Sequence, residues 1–183
     1  MSVFKITLHT FLLGVVIFIC PPAHATNLFT NKNKLSDIMM IMSPTYAFGM
    51  SMMIKDYKGV AQLGESVFLA QMMSETIKLF ELETRPNKSD KKSFPSGHAV
   101  GAFSGAMYVH KRYGWKYALV PYSMSLVAGW ARTKVRAHYW HDVIGGAALS
   151  ALVTWILVDN YKLNNMQIAA DPDGIQIGFR TQF

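Results

Sequence analysis

The chain has 183 residues, 51% of them hydrophobic, and 18 Lys and Arg outweigh 11 Asp and Glu to give a net charge of +7. That length suits one domain with a sizeable core and is too short for two comfortable ones. The basic balance fits an anionic lipid surface or substrate; nucleic acid is the alternative that charge alone offers, and no aromatic and basic RNA-binding pattern supports it.

Residues 1–25 hold a lone Lys5, an apolar run from Phe11 to Cys20, a break at Pro21-Pro22, and the small-x-small pattern Ala23-His24-Ala25. This reads as a secretory signal cleaved after Ala25. The apolar run is shorter than the roughly 20 residues of a spanning helix, which disfavours an uncleaved anchor. Cys20 is poorly placed for lipidation, with Ile19 before it and Pro21 after it. Removing the leader removes the single cysteine, so the mature chain has no disulfide. His9 and His24 go with the leader and have no catalytic claim.

Apolar stretches follow from Ile38 to Ile54, Gly59 to Phe80, His98 to Val109, Tyr117 to Ala131 and Val143 to Val158. Their length and lack of alternation predict helices and an all-α domain over residues 26–170. Pro44, Lys55, Lys58, Glu65 and Glu75 interrupt the earlier stretches, so none reaches a clean membrane span. The mean hydropathy of +0.17 lies between soluble and polytopic proteins, and the expectation is a membrane-associated domain. Gly97, Gly101 and Gly105, with Gly145, Gly146 and Ser150 later, predict close approach of the third and fifth helices. His110, before Lys111-Arg112, reads as a residue on a solvated helix end. Asp171 to Phe183 carries turn signals followed by Ile175, Ile177, Phe179, Thr181 and Phe183 in alternation, which predicts one short surface strand.

Three segments between these helices carry chemistry: Lys78 with Arg85-Pro86, then Pro95-Ser96-Gly97-His98, then Arg132 with His138 and Asp142. A phosphoryl group is anionic in ground and transition states, so a site without a metal must supply fixed cations and backbone donors. Lys78, Arg85 and Arg132 supply the cations, and arginine's planar fork matches phosphate oxygens. Ser96 is a favoured helix N-cap, Gly97 lets backbone approach a ligand, and free amides follow. Were the third segment helical, His138 and Asp142 would lie one turn apart on one face, with the carboxylate holding the imidazole in one tautomer. His98 is then available to protonate a leaving oxygen. Lys88, Lys91 and Lys92 make the intervening loop basic, as a steering funnel or a solvated loop. A metal set of His138, His141, Asp142 and His98 is feasible by spacing, but His141 reads better as a supporting or surface histidine.

The order and spacing of these segments resemble the phosphatidic acid phosphatase type 2 superfamily, whose helical fold is shared with vanadate-dependent haloperoxidases. The resemblance covers about Gly59 to Val158 and departs only at Ala131, where the family pattern has serine. It implies an all-helical bundle with no metal or other cofactor, to which the alternation in the tail adds a short C-terminal strand. It also implies His138 as the nucleophile of a phosphohistidine intermediate, Asp142 as its orienter, and His98 as general acid. Lys78, Arg85, Ser96, Gly97 and Arg132 are implied to hold the phosphate. The implied activity is hydrolysis of a phosphomonoester or pyrophosphate on a lipid such as phosphatidate, phosphatidylglycerophosphate, a polyprenyl diphosphate or lipid A; the signal-like leader adds the expectation that it acts at the periplasmic side of the membrane or in the periplasm. A soluble acid phosphatase of broad specificity, a haloperoxidase and a catalytically silent membrane protein are the alternatives.

Overall fold

A computed structural model describes residues 31–161 together with the backbone of residues 166–171 and 174–179. The expected signal peptide, with His9 and His24, lies outside the described residues. Among the described residues there are five helices: α1 Lys32–Met53, α2 Tyr57–Lys78, α3 Gly97–Tyr113, α4 Trp115–Lys134 and α5 Trp140–Leu157. The five apolar stretches of the sequence are these helices, extended by a few polar residues at their ends. Polar caps start the first two, since the Asn31 side chain accepts from the Lys34 amide and the Asp56 side chain from the Gly59 amide. Gly114, with φ 103°, turns the chain from α3 into α4 without a linker.

α3 is the central helix and packs against all four others. Its small residues make that possible. A Cβ on Gly105 would sit 2.5 Å from the Pro44 nitrogen and the Ser43 carbonyl carbon, so α1 crosses α3 backbone to backbone there. The Ser43 hydroxyl reinforces the crossing by donating to the Ala102 carbonyl at 2.7 Å. Gly101 faces Met40 of α1, and Gly97 faces Lys78 of α2. The glycine stripe of α3 therefore serves α1 and α2 rather than α5, contrary to the sequence expectation. The approach of α5 to α3 comes from Gly146, whose added Cβ would lie 2.9 Å from the Ser96 carbonyl oxygen, and from Ser150, which donates to the Val100 carbonyl at 2.9 Å. A four-residue spacing turns 40° per step around a helix, which is enough to carry the stripe from one neighbour to the next.

By length and composition, one helix among the described residues, Trp140–Leu157, could cross a membrane, with mean hydropathy 1.3. The sequence reading had allowed no such stretch, because it started the apolar run at Val143 rather than at Trp140. The C-terminal region also differs from expectation. It forms an antiparallel pair, β1 Met166–Asp171 with β2 Gly174–Phe179, in the register Met166 to Phe179 and Asp171 to Gly174. The Asp-Pro-Asp-Gly turn signal was legible, but the first arm, Met-Gln-Ile-Ala-Ala-Asp, alternates too weakly to announce a strand.

Candidate active site

The alternating directions of the helices bring the starts of α1, α3 and α5 to the same end of the bundle as the finishes of α2 and α4. Lys78 lies in the last turn of α2 and Arg132 in that of α4, where cations are favoured by the helix dipole. Ser96, Gly97 and His98 form the N-terminus of α3, whose first amides lack intrahelical partners. Asp142 lies in the first turn of α5. Arg85 sits in the α2–α3 loop, which is tied back to the site by hydrogen bonds from the Asn87 amide to the Arg136 carbonyl, from Ser93 to Glu83, and from Ser96 to the Asp142 carbonyl.

His138 is not helical. It occupies the short link between α4 and α5, after Arg136 has taken φ 55°, so the expected His138–Asp142 pairing along one helix face is replaced by a link residue facing a helix cap. The His138 Nδ1 lies 2.8 Å from the Ser93 carbonyl oxygen and 3.4 Å from Asp142 Oδ2. A carbonyl can only accept, so Nδ1 carries the proton and Nε2 keeps its lone pair. That Nε2 lies 3.4 Å from an Arg85 guanidinium nitrogen. Asp142 is fully buried, and its Oδ2 accepts from the Ser93 hydroxyl at 2.5 Å and from the Tyr139 amide at 2.8 Å. Ser93 thus contacts the histidine through its carbonyl and the aspartate through its hydroxyl.

Burial, followed by the charges of Arg85 and Arg132, pushes the His138 imidazole well below its ordinary range, against the opposing pull of Asp142 and the Ser93 carbonyl. His138 is neutral at neutral pH as a result. His98 is lowered too, first by burial and then by Arg132, with Lys78 adding to the effect and Asp37 opposing it. Its Nε2 is 2.7 Å from Asp37 Oδ1 on α1.

The cations leave donors for an anion. Arg85 donates through Nε to Asp90 at 2.7 Å, and Arg132 donates through one terminal nitrogen to Asn33 at 3.2 Å. Lys78 pairs with Glu75 at 2.6 Å. Among the described residues the buried Ser96 hydroxyl and Arg132 Nε have no hydrogen-bond partner, and buried polar groups of that kind are normally satisfied. Gly97 has a steric reason to lack a side chain, since a Cβ there would lie 2.9 Å from Lys78 Nζ. All eight residues singled out from the sequence therefore lie at one end of the bundle, on four helices and two connecting segments.

Sequence reasoning missed Ser93, Asp37 and Glu83. Their only signal was proximity to Pro95 for Ser93, and none for Asp37. His141 is exposed, and its Nε2 contacts Glu83 Oε2 at 2.6 Å and Asp142 Oδ1 at 3.2 Å. One ligand atom from each of Glu83, His141 and Asp142 lies within 4.8 Å of the others, which is close enough to share a cation. The short His141–Glu83 contact serves Glu83, while among the described residues the buried Asp142 Oδ1 has no hydrogen-bond partner. His110 is not solvated as expected, because Nδ1 lies 2.8 Å from the Tyr122 hydroxyl and its ring meets Trp155 edge-on.

The family model of the PAP2 superfamily matches residues 81–166. The chain is similar to a lipid A 4'-phosphatase of Helicobacter pylori, 25% identical over 140 residues that cover 70% of each protein. It is also similar to a lipid A 1-phosphatase of Porphyromonas gingivalis, 30% identical over 126 residues that cover 67% of this chain and 26% of that protein. A crystal structure of LpxE from Aquifex aeolicus shares the fold, with a TM-score of 0.58 and 18% identity over 79% of this chain and 92% of that one.

Proposed function

The chain belongs to the PAP2 superfamily and is a lipid phosphatase, and from that premise we propose that it removes a phosphate monoester from a lipid A-type glycolipid, without a metal, through a phosphohistidine at His138. The observation that carries the reading is a neutral imidazole whose Nε2 lone pair accepts only a long 3.4 Å contact from Arg85, set near Arg132 and the first turn of α3, where among the described residues the Ser96 hydroxyl and Arg132 Nε lack partners.

In this reading the phosphate takes donors from Lys78, Arg85, Arg132, Ser96 and the Gly97 amide. His138 Nε2 attacks phosphorus, and the phosphorus–oxygen bond to the lipid breaks with its electron pair leaving on oxygen. A protonated His98 supplies the proton to that oxygen. Asp142 and the Ser93 carbonyl stabilise the positive charge that develops on His138. Water then attacks the phosphohistidine, its proton passes to His98, and the phosphorus–nitrogen bond breaks to restore the neutral imidazole.

Exposed Leu79, Phe80 and Leu82 at the end of α2, with Trp140 and Ile144 on α5, give the neighbourhood of the site an apolar rim suited to acyl chains. Lipid A substrates of the two bacterial relatives favour that substrate class. The signal-like leader supports a reaction on the periplasmic side.

The test is phosphate release by detergent-solubilised protein in the presence of chelator, with lipid A, phosphatidate, phosphatidylglycerophosphate, a polyprenyl diphosphate and a small aryl phosphate compared at equal concentration. The reading expects lipid A to be turned over fastest and vanadate to inhibit. Equal or faster turnover of the aryl phosphate would instead make this a broad acid phosphatase, and loss of activity with chelator would remove the metal-free mechanism.

A further inference from the structure

We propose that Asp37 on α1 is a positioning residue for His98, holding the imidazole by Nε2 so that the proton delivered to the leaving oxygen is the one on Nδ1. The inference rests on His98 acting as general acid, as set out above, and adds a residue that none of the three sequence motifs contains.

The geometry gives Asp37 a specific task. His98 begins α3 and has no neighbour on its own helix that could orient its ring. Asp37 Oδ1 reaches it from the first turns of α1 at 2.7 Å. Asp37 is more than half exposed, whereas the His98 side chain is three-quarters covered, so the carboxylate lies at the mouth and the ring points inward from it. One imidazole nitrogen is thereby committed, and only Nδ1 is left for substrate. The charges facing His98 are otherwise cationic. Burial disfavours the imidazolium most, and Arg132 from α4 and then Lys78 from α2 add to it. Asp37 is the anion that opposes them. A general acid set among phosphate-binding cations needs such a counter-charge to remain protonated in the free enzyme. The start of α1 also holds Asn33, which accepts from Arg132 at 3.2 Å, so α1 braces both the acid and one phosphate-binding arginine.

Proton donation matters most when the leaving oxygen is basic and least when it is acidic. That dependence separates positioning of the acid from a general loss of structure. The experiment measures kcat/KM for a lipid phosphate and for dinitrophenyl phosphate, across pH, with wild type, Asp37→Asn, Asp37→Glu and His98→Ala.

Asp37→Asn is expected to lose about tenfold or more on the lipid phosphate and markedly less on the aryl phosphate. The basic limb of its pH profile should move to lower pH, and Asp37→Glu should recover part of the loss. If His98→Ala loses the same factor on both substrates, the reading of His98 as general acid fails and takes this inference with it. If His98→Ala discriminates between the substrates and Asp37→Asn retains the wild-type ratio and pH profile, Asp37 has no positioning role. An equal loss of both substrates in Asp37→Asn, with an unmoved profile, overturns the inference as well.

Discussion

His138 combines two properties that usually oppose each other, an unprotonated Nε2 held only by a long contact from Arg85 and a surrounding field of positive charge. Burial, and after it Arg85 and Arg132, keep it unprotonated, while the Ser93 carbonyl and Asp142 hold the ring and are placed to stabilise the charge that the proposed phosphoryl transfer would form. The proposed mechanism needs a free enzyme with His138 neutral and His98 protonated. The acid limb of kcat/KM follows His138 and the basic limb follows His98, and both imidazoles are shifted down from about 6.5. The optimum for kcat/KM should therefore lie on the acid side of neutrality, and an alkaline optimum would contradict the assignment. Gly97→Ala places a methyl 2.9 Å from Lys78 Nζ, the flexible end of a side chain. Displacing that ammonium should raise KM several-fold and leave the thermal transition nearly unchanged, as a titration of initial rate against substrate would register. At this scale the residues that carry charge or a proton were legible, because phosphate chemistry restricts them to a few types at fixed spacing. Ser93 and Asp37 were not. Ser93 uses its backbone carbonyl, which every residue possesses, and Asp37 acts across 61 positions of chain.

The helices owe their places to small residues on α3. Gly105 lies against the backbone of Ser43 and Pro44 rather than against a side-chain tip, so Gly105→Ala cannot be relieved by a rotamer change. It should cost about 1–3 kcal/mol, read as a lower urea midpoint at unchanged slope, and a neutral result would show that the α1–α3 crossing is loose. Helix number and approximate limits were legible from the apolar runs. The neighbour of each glycine was not, since a four-residue repeat names a face of one helix and says nothing of which partner covers it. The same limit applies to His110, whose Tyr122 and Trp155 partners come from α4 and α5.

The two ends of the bundle divide the work. Opposite the candidate site, buried Arg112 of α3 forms a forked pair with Asp56, the cap of α2, donates to the Gln62 side chain at 2.9 Å, and donates to the Asp159 carbonyl at 3.0 Å beyond α5. Tyr113 adds a hydroxyl to Asp56 at 2.7 Å. This network ties together the ends of helices whose other termini carry the candidate phosphate-binding residues. Removing one partner strands a buried charge, so Arg112→Ala should destabilise the fold by about 3–5 kcal/mol, visible as a drop in melting temperature, with turnover per folded molecule retained. None of this network was legible in the sequence, where Arg112 follows Lys111 in what reads as a basic helix end. The all-helical architecture was legible, and so was the convergence of the three motifs, whereas the partner strand β1 was not. The central claim is the covalent intermediate on His138. The most direct measurement is rapid quenching of the enzyme during turnover of radiolabelled lipid phosphate, followed by peptide mapping. The account predicts a base-stable, acid-labile phosphoryl group on the peptide containing His138 and none in His138→Ala, and label on any other residue, or undiminished turnover by His138→Ala, would contradict it.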